Sequence, residues 1–179
     1  MSKVVIDTNV LLIANQQHND VSVDCIEECI LRLSNIKDSG IIIIDDDYKI
    51  LNEYKRKTSL SPPKGVGDVF LKWLLRHVGN EHFVEMVSIT EVEKDRFSEF
   101  PDPELERSFD PPDRKFVAVA SAHGEKPVIW QAGDCKWLNW WPTLAQYNIT
   151  VDFVCPNDVC RFYSQKFPNI NLPDLPGDR

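Results

Sequence analysis

The chain opens with MSKVVIDTNVLLIANQ over residues 1–16, and the short β-branched run at residues 3–6 in this stretch is the first element that decides the fold. Its β-branched residues are typical of a strand that is buried on both faces. The run leads directly into Asp7. Residues 41–44 and 127–131 repeat the pattern, and Asp134 follows the last run after a glycine. The sequence therefore predicts buried strands that end at acidic residues.

Helical segments separate these strands. Apolar residues recur at helical spacing over residues 21–36, and Gly40 stands just beyond, as is common at a helix end. Asp45, Asp46 and Asp47 can cap the next helix. Thr90 with Glu93 predicts a capping box for a short helix. Other predicted helices cover residues 68–77, 113–123 and 157–167, and other predicted strands cover residues 83–87 and 149–154.

Strands that alternate with helices favour an α/β fold. We predict a three-layer sandwich with a central, mostly parallel sheet. Residues 1–160 are predicted to form the domain, with residues 58–109 as a helical insert or cap. Residues 161–179 are predicted to hold the end of the closing helix and a loosely ordered tail.

The cysteines do not form a disulfide pattern. The chain has five of them, an odd number, and no pair has CxxC spacing, so we expect buried thiols rather than disulfides. Cys25 and Cys29 lie one helical turn apart and share a helix face. A zinc site would need two further ligands at partner spacing, which the sequence does not offer.

Charge and hydropathy narrow the class of protein. The formal net charge of −8 argues against a protein that coats nucleic acid through general basicity, but it is compatible with acids clustered in one cation site. No apolar run is long enough to span a bilayer. An Asp and two Asn near the start interrupt the apolar stretch that a signal peptide needs. We therefore expect a cytoplasmic protein without membrane contact.

Acidic residues define the candidate site. Parallel sheets place ligands outside the carboxyl ends of their strands, where Asp7 and Asp134 stand. Glu53 lies on the helix after the second strand, and Asp113 lies in the first turn of the helix before the third. Clustered carboxylates repel unless they are protonated or share a cation. Mg²⁺ or Mn²⁺ suits such oxygen ligands, and the predicted reaction is in-line hydrolysis of a phosphodiester.

The motifs around these acids resemble those of PIN-domain nucleases. VVIDTNVLL (4–12) is similar to the opening strand motif of that family, and ILNEYKRK (50–57) to its helical Glu motif. DRKFVAVASAHG (113–124) resembles the third motif, and VIWQAGDCKW (128–137) the fourth. The resemblance covers roughly residues 3–154. One departure is Trp137, which stands where many relatives carry a second Asp after the fourth acid.

The resemblance assigns roles to individual residues. It implies that the metal ligands are Asp7, Glu53, Asp113 and Asp134. Asn9 would orient the first Asp through its amide. The predicted substrate contacts are Thr8, Arg114, Lys115 and Lys136, of which the basic residues would contribute to a positive rim for a polyanion.

Each acid also has a purely structural interpretation. Asp7 can stabilise a turn, Glu53 can pair with Lys57 one helical turn later, and Asp113 can interact with the helix dipole. Asp134 can be an ordinary loop residue.

Asp110 has two interpretations. Because it precedes Pro111, an N-cap is the favoured one, and a role in the metal site is the alternative. None of the histidines has ligand spacing to another, and none is assigned a role.

Together with the acidic residues, this resemblance implies a divalent-metal-dependent endoribonuclease that acts on single-stranded RNA, with DNA as the alternative substrate. The resemblance extends to toxins of the VapC type, which are held by an antitoxin, and to RNA-processing or defence nucleases. The apolar helix near residues 69–78 could contact such a partner or a second copy in a homodimer. A catalytically silent PIN-like module that binds RNA or protein is the main alternative. A haloacid-dehalogenase-type phosphohydrolase would need an acid where Asn9 stands.

Overall fold

The structure is a computed structural model that describes residues 1–177. Its strands are β1 (Ser2–Ile6), β2 (Gly40–Asp45), β3 (Val84–Val87), β4 (Glu91–Glu93), β5 (Arg96–Phe97), β6 (Val128–Gln131) and β7 (Val151–Phe153). Its helices are α1 (Thr8–Ala14), α2 (Val23–Ser39), α3 (Lys49–Lys57), α4 (Val66–His77), α5 (Pro103–Ser108), α6 (Arg114–Ala122), α7 (Trp137–Gln146) and α8 (Pro156–Lys166). A single 3₁₀ turn, Pro111–Asp113, leads into α6.

The central sheet has five strands in the order β3-β2-β1-β6-β7, and every neighbouring pair is parallel. The chain runs outward from β1 to β2 and β3, and then returns to the other side of β1 for β6 and β7. Because crossovers between parallel strands are right-handed, this reversal places helices on both faces of the sheet. The predicted three-layer α/β sandwich is therefore confirmed. The reversal between β1 and β6 also creates the crevice in which such sheets bind ligands.

Local interactions explain where the helices begin. The Ser22 hydroxyl accepts a hydrogen bond from the Cys25 N–H at 3.2 Å and starts α2. The Asp45 carboxylate accepts from the N–H groups of Lys49 at 2.7 Å and Ile50 at 2.9 Å, so the predicted acidic cap of α3 is confirmed at Asp45. This cap fixes the start of the helix that carries Glu53.

The prediction of a short helix that begins at Thr90 is wrong. Glu91–Glu93 forms β4, which pairs antiparallel with β5. Asp95 adopts a positive φ of 55° in the turn between them, and the Arg96 side chain bonds Glu93 at 2.9 Å. A capping-box spacing is short and common, and here strand pairing overrides it. Three further helices, α1, α5 and α7, are not predicted from the sequence, because their apolar patterns are short or interrupted. The helix α7 contains an interior proline, Pro142, which disfavours the prediction of a helix there.

The cysteine prediction is also wrong in part. Cys25 and Cys155 form a disulfide across 130 residues of sequence. Cys29 and Cys135 are buried thiols, as predicted. The disulfide joins the start of α2 to the residue before α8. Sequence spacing does not reveal this pairing, because strand order alone brings the two segments together.

Two segments differ in part from their predicted structure. Residues 58–109 contain α4 and α5, but they also contain β3, an edge strand of the central sheet, and the β4–β5 hairpin. In the predicted tail, the Asp174 carbonyl accepts from the Trp141 indole at 2.9 Å, and Leu175 packs against the core. Residues 178 and 179 lie outside the described part.

Among residues 1–177, no helix combines the length and apolar character that crossing a membrane requires.

Candidate metal centre

The candidate site lies at the crevice between β1 and β6. Asp7 directly follows β1 and is 2 % exposed, and its carboxylate accepts a hydrogen bond from the Asn9 N–H at 2.9 Å. Asp7 is therefore also the N-cap of α1. Its structural and proposed metal-binding roles coexist, because each carboxylate has several acceptor positions. Asn9 makes this contact through its backbone N–H.

Asp134 reaches the site from the loop after β6. Gly133 before it has a φ of +88°, which favours glycine. A Cβ at that position would lie 3.0 Å from the His18 Nε2 atom. The Asp134 carboxylate accepts from the Lys136 N–H at 3.0 Å, which fixes it at the start of the next segment. The loop thus presents Asp134 through a tight turn that excludes larger side chains.

Glu53 comes from α3 and is 7 % exposed. One of its oxygens accepts from the Thr8 hydroxyl at 2.6 Å, and the other accepts from the Lys115 ammonium group. Lys115 also donates to the Pro112 carbonyl. The pairing of Glu53 with Lys57, which the sequence allowed, is not made; the nearby cation is Lys115 from α6 instead.

A group of three carboxylates, which we call the Asp triad, is made of Asp110, Asp113 and Asp134. One oxygen of each lies within 4.8 Å of the others. Asp113 ends the 3₁₀ turn, and its carboxylate accepts from the Trp137 indole at 3.1 Å. Because Mg²⁺–oxygen distances are about 2.0–2.1 Å, ligands on one ion lie about 3–4 Å apart, so small side-chain shifts would let these oxygens share an ion.

The electrostatics couple Asp7 and Glu53 to this triad. Burial raises the pKa of Asp7 well above 3.8, the Asp113 charge raises it further, and the charges of Glu53 and Asp134 add to the same effect. The Asn9 N–H opposes this rise. Burial and then the Asp134 charge raise the pKa of Asp113 to about 7, although the Trp137 hydrogen bond opposes them. Such groups favour a proton or a cation over free negative charge.

Burial likewise raises the pKa of Asp134, against the Lys136 N–H. The four acids predicted from the sequence are thus brought into one electrostatic cluster, and Asp110 joins them. Asp110 was interpreted as a cap, but its side chain makes no capping hydrogen bond and pairs with the Lys136 ammonium group instead. Its spacing of three residues from Asp113 was the one available signal.

The predicted substrate contacts are differently placed. Lys115 and Lys136 lie in the cluster and form ion pairs with Glu53 and Asp110, respectively. The Thr8 hydroxyl donates a hydrogen bond to Glu53. Arg114 is not brought to the acids. Its guanidinium donates to the carbonyls of Phe109 and Asp95, each at 3.2 Å.

Other residues near the site were not predicted. The electrostatic influence of His18 and Lys166 opposes the rise in the pKa of Asp134. They come from the loop before α2 and from the end of α8, and no sequence signal connects them to Asp134. Trp137 supplies the hydrogen bond to Asp113. Its indole therefore fixes the orientation of that carboxylate.

Comparisons of the chain with models of protein families, with curated proteins and with solved structures find no match.

Proposed function

We propose that this protein is a divalent-metal-dependent endoribonuclease that hydrolyses phosphodiester bonds of single-stranded RNA. The observation that carries the proposal is the convergence of the Asp triad with Asp7 and Glu53 at the crevice between β1 and β6. The three carboxylates of the Asp triad have oxygens within 4.8 Å of one another, and the charges of Asp113, Glu53 and Asp134 act on the buried Asp7. Without a cation, burial and then the charges of neighbouring carboxylates raise the pKa values of Asp7 and Asp113.

The donor set fits Mg²⁺ or Mn²⁺. All candidate ligands are carboxylate oxygens, which these hard cations prefer, and the site has no thiol or imidazole ligand placed among those oxygens in the described residues. Asp7, Asp113 and Asp134 would hold the metal, with Asp110 as an additional ligand and Glu53 as a ligand or close partner. When bound, the ion supplies positive charge that activates water and stabilises the departing oxygen.

The side chains around the acids orient them. The Asn9 N–H and the Trp137 indole hold the carboxylates of Asp7 and Asp113, and Thr8 holds Glu53. These contacts would reduce the reorganisation that the site needs during the reaction.

Two lysines have a second role in the proposal. Lys115 and Lys136 neutralise Glu53 and Asp110, respectively. A metal ion would take over that neutralisation, so both ammonium groups would become available to a substrate phosphate. Phosphate contacts of this kind position a polyanion without reading its sequence. Through this exchange, a protein with a net charge of −8 would still present positive charge to a nucleic-acid substrate.

The choice of RNA rests on the resemblance of the motifs to PIN-domain nucleases. On the same basis we propose a toxin or an RNA-processing or defence nuclease. An antitoxin or another protein, or a second copy of the chain, would be its partner. DNA is the alternative substrate.

The test is cleavage of an end-labelled pool of single-stranded RNA in Mn²⁺ or Mg²⁺. We expect wild-type protein to cleave, EDTA to abolish cleavage, and Asp7→Asn and Asp113→Asn to lose at least about 100-fold in rate, as is usual when a catalytic electrostatic contact is removed. Asp46→Asn is the matched control, because Asp46 is exposed in a loop and lies outside the cluster. Equal cleavage by all four proteins would refute the assignment. A parallel DNA pool separates the two substrates.

A second candidate is a catalytically silent module that binds RNA or protein. The specific observation in its favour is that Lys115 and Lys136 already neutralise Glu53 and Asp110 without a metal. Calorimetry with Mn²⁺ separates the candidates. Binding that is lost in Asp113→Asn supports the nuclease, whereas no binding together with retained RNA affinity supports the silent module.

A further inference from the structure

Three cysteines form a second cluster of ligand atoms, apart from the acidic site. The thiol cluster consists of Cys25, Cys29 and Cys155, which are 3 %, 0 % and 5 % exposed. Cys25 and Cys29 lie one turn apart on α2, and this i, i+4 spacing directs both side chains to the same side of a helix. Cys155 follows β7 and precedes α8. The fold therefore supplies from 130 residues away the third ligand that local sequence spacing lacks.

The sulfur positions suit a shared ion. The three Sγ atoms lie within 4.8 Å of one another, and those of Cys29 and Cys155 are 3.9 Å apart. Zn–S bonds of about 2.3 Å in tetrahedral geometry place two thiolates about 3.8 Å apart. The Cys29–Cys155 separation already matches this value. Cys25 and Cys155 are joined as a disulfide, so that bond must be reduced before both can bind metal.

A cavity gives access to the cluster. It has a volume of about 370 Å³, and Cys25 and Cys155 line it together with the acidic residues Asp24, Glu28 and Asp158. The space can hold a water molecule as a fourth ligand. Glu28 and Asp158 are paired with Arg32 and Arg161, which leaves the thiols as the strongest ligands for a soft metal.

We propose that the thiol cluster binds one thiophilic divalent cation, such as Zn²⁺, when the Cys25–Cys155 disulfide is reduced. Reduction by a thiol reductant transfers two electrons and two protons to this pair and converts two reductant thiols into a disulfide. Metal binding then releases the protons of the cysteines that become thiolate ligands. The oxidised and metal-bound states exclude each other, because the disulfide uses two of the three sulfurs. This proposal does not depend on nuclease activity.

Co²⁺ is the probe for this site, because bound thiolates give a sulfur-to-cobalt charge-transfer band that carboxylates do not give. We expect reduced wild-type protein to show the band at one equivalent of Co²⁺, and Zn²⁺ to abolish it. Cys29→Ser should lose about one third of the intensity, since two thiolates would remain of three. Cys160→Ser, which removes a cysteine outside the cluster, should keep it, and oxidised protein should lack it. No band in reduced wild type, or an undiminished band in Cys29→Ser, would overturn the proposal.

A measurement on the wild type covers the case in which a buried variant does not fold. Zn²⁺ should slow alkylation of the three cluster cysteines in reduced protein at least about tenfold, as peptide masses would report, and EDTA should reverse this protection. Alkylation that is equally fast with and without Zn²⁺ would contradict metal binding by these thiols.

Discussion

Replacing Asp113 with Asn should stabilise the metal-free protein at alkaline pH. The pKa of Asp113 is raised from its ordinary 3.8 to about 7, chiefly by burial and then by the Asp134 charge. Between these values the folded chain keeps a proton that the unfolded chain releases. The stability of the wild type therefore falls as pH rises through this range. Asn has no charge to bury, so the stability of the variant does not fall with pH for this reason.

The size of the effect follows from the same values. A gap from 3.8 to about 7 corresponds to about 4 kcal/mol once Asp113 is fully ionised. Relaxation of the site and entry of water reduce this figure, and we expect about 1–3 kcal/mol at pH 8. For a chain of this length, 2 kcal/mol corresponds to about 4–8 °C in Tm. The asparagine carbonyl can still accept from the Trp137 indole, so that hydrogen bond need not be lost.

The assay is urea denaturation of wild type and Asp113→Asn in EDTA, from pH 4.5 to pH 8.5. The stability difference should grow with pH over this range. The control Asp46→Asn should differ from wild type by less than about 0.5 kcal/mol at every pH. If the difference in unfolding free energy between Asp113→Asn and wild type were the same at pH 8.5 as at pH 4.5, the electrostatic account of the site would be refuted.

Three other outcomes are expected. Mn²⁺ should raise the Tm of the wild type and EDTA should reverse this, because a ligand of the folded state stabilises it by mass action; an unchanged Tm at millimolar Mn²⁺ would argue against a metal centre. Lys115→Met should lower the free energy of unfolding by about 3–5 kcal/mol in EDTA, since it leaves Glu53 buried without its cation, and the added change Glu53→Gln should restore part of it; a double-mutant cycle with no coupling would contradict the pairing. Replacing both Cys25 and Cys155 with Ala should cost about 2–5 kcal/mol in urea denaturation under oxidising conditions, because their disulfide closes a loop across 130 residues. Under reducing conditions the same variant should differ much less from wild type, and an equal difference in both conditions would show that the disulfide is not the cause.

Local sequence patterns predicted the part of the fold that depends on burial. The apolar runs before Asp7 and Asp134 are β1 and β6, and the periodic segment at residues 21–36 is the main part of α2. The same patterns placed the acids at strand ends and helix starts. The short hairpin at residues 91–97 was missed because a capping-box spacing competes with strand pairing over so few residues.

The site was predicted less completely than the fold. Asp7, Glu53, Asp113 and Asp134 could be selected because each stands at a position where parallel strands and their helices converge. Asp110 could not be separated from an ordinary cap. Whether Asp110 belongs to the site depends on the direction in which the 3₁₀ turn at residues 111–113 presents the Asp110 side chain.

By itself, the sequence determined which residues are buried in strands and helices, because hydrophobic periodicity is a local property of the chain. The tertiary structure alone decided which distant side chains meet: Lys115 with Glu53, Trp137 with Asp113, and Cys155 with Cys25. These contacts depend on strand order and on the paths of the connections, which bring together segments that carry no mutual signal in the sequence. The electrostatic character of the site depends on the same contacts, because pKa values respond to burial and to neighbouring charges rather than to residue type alone.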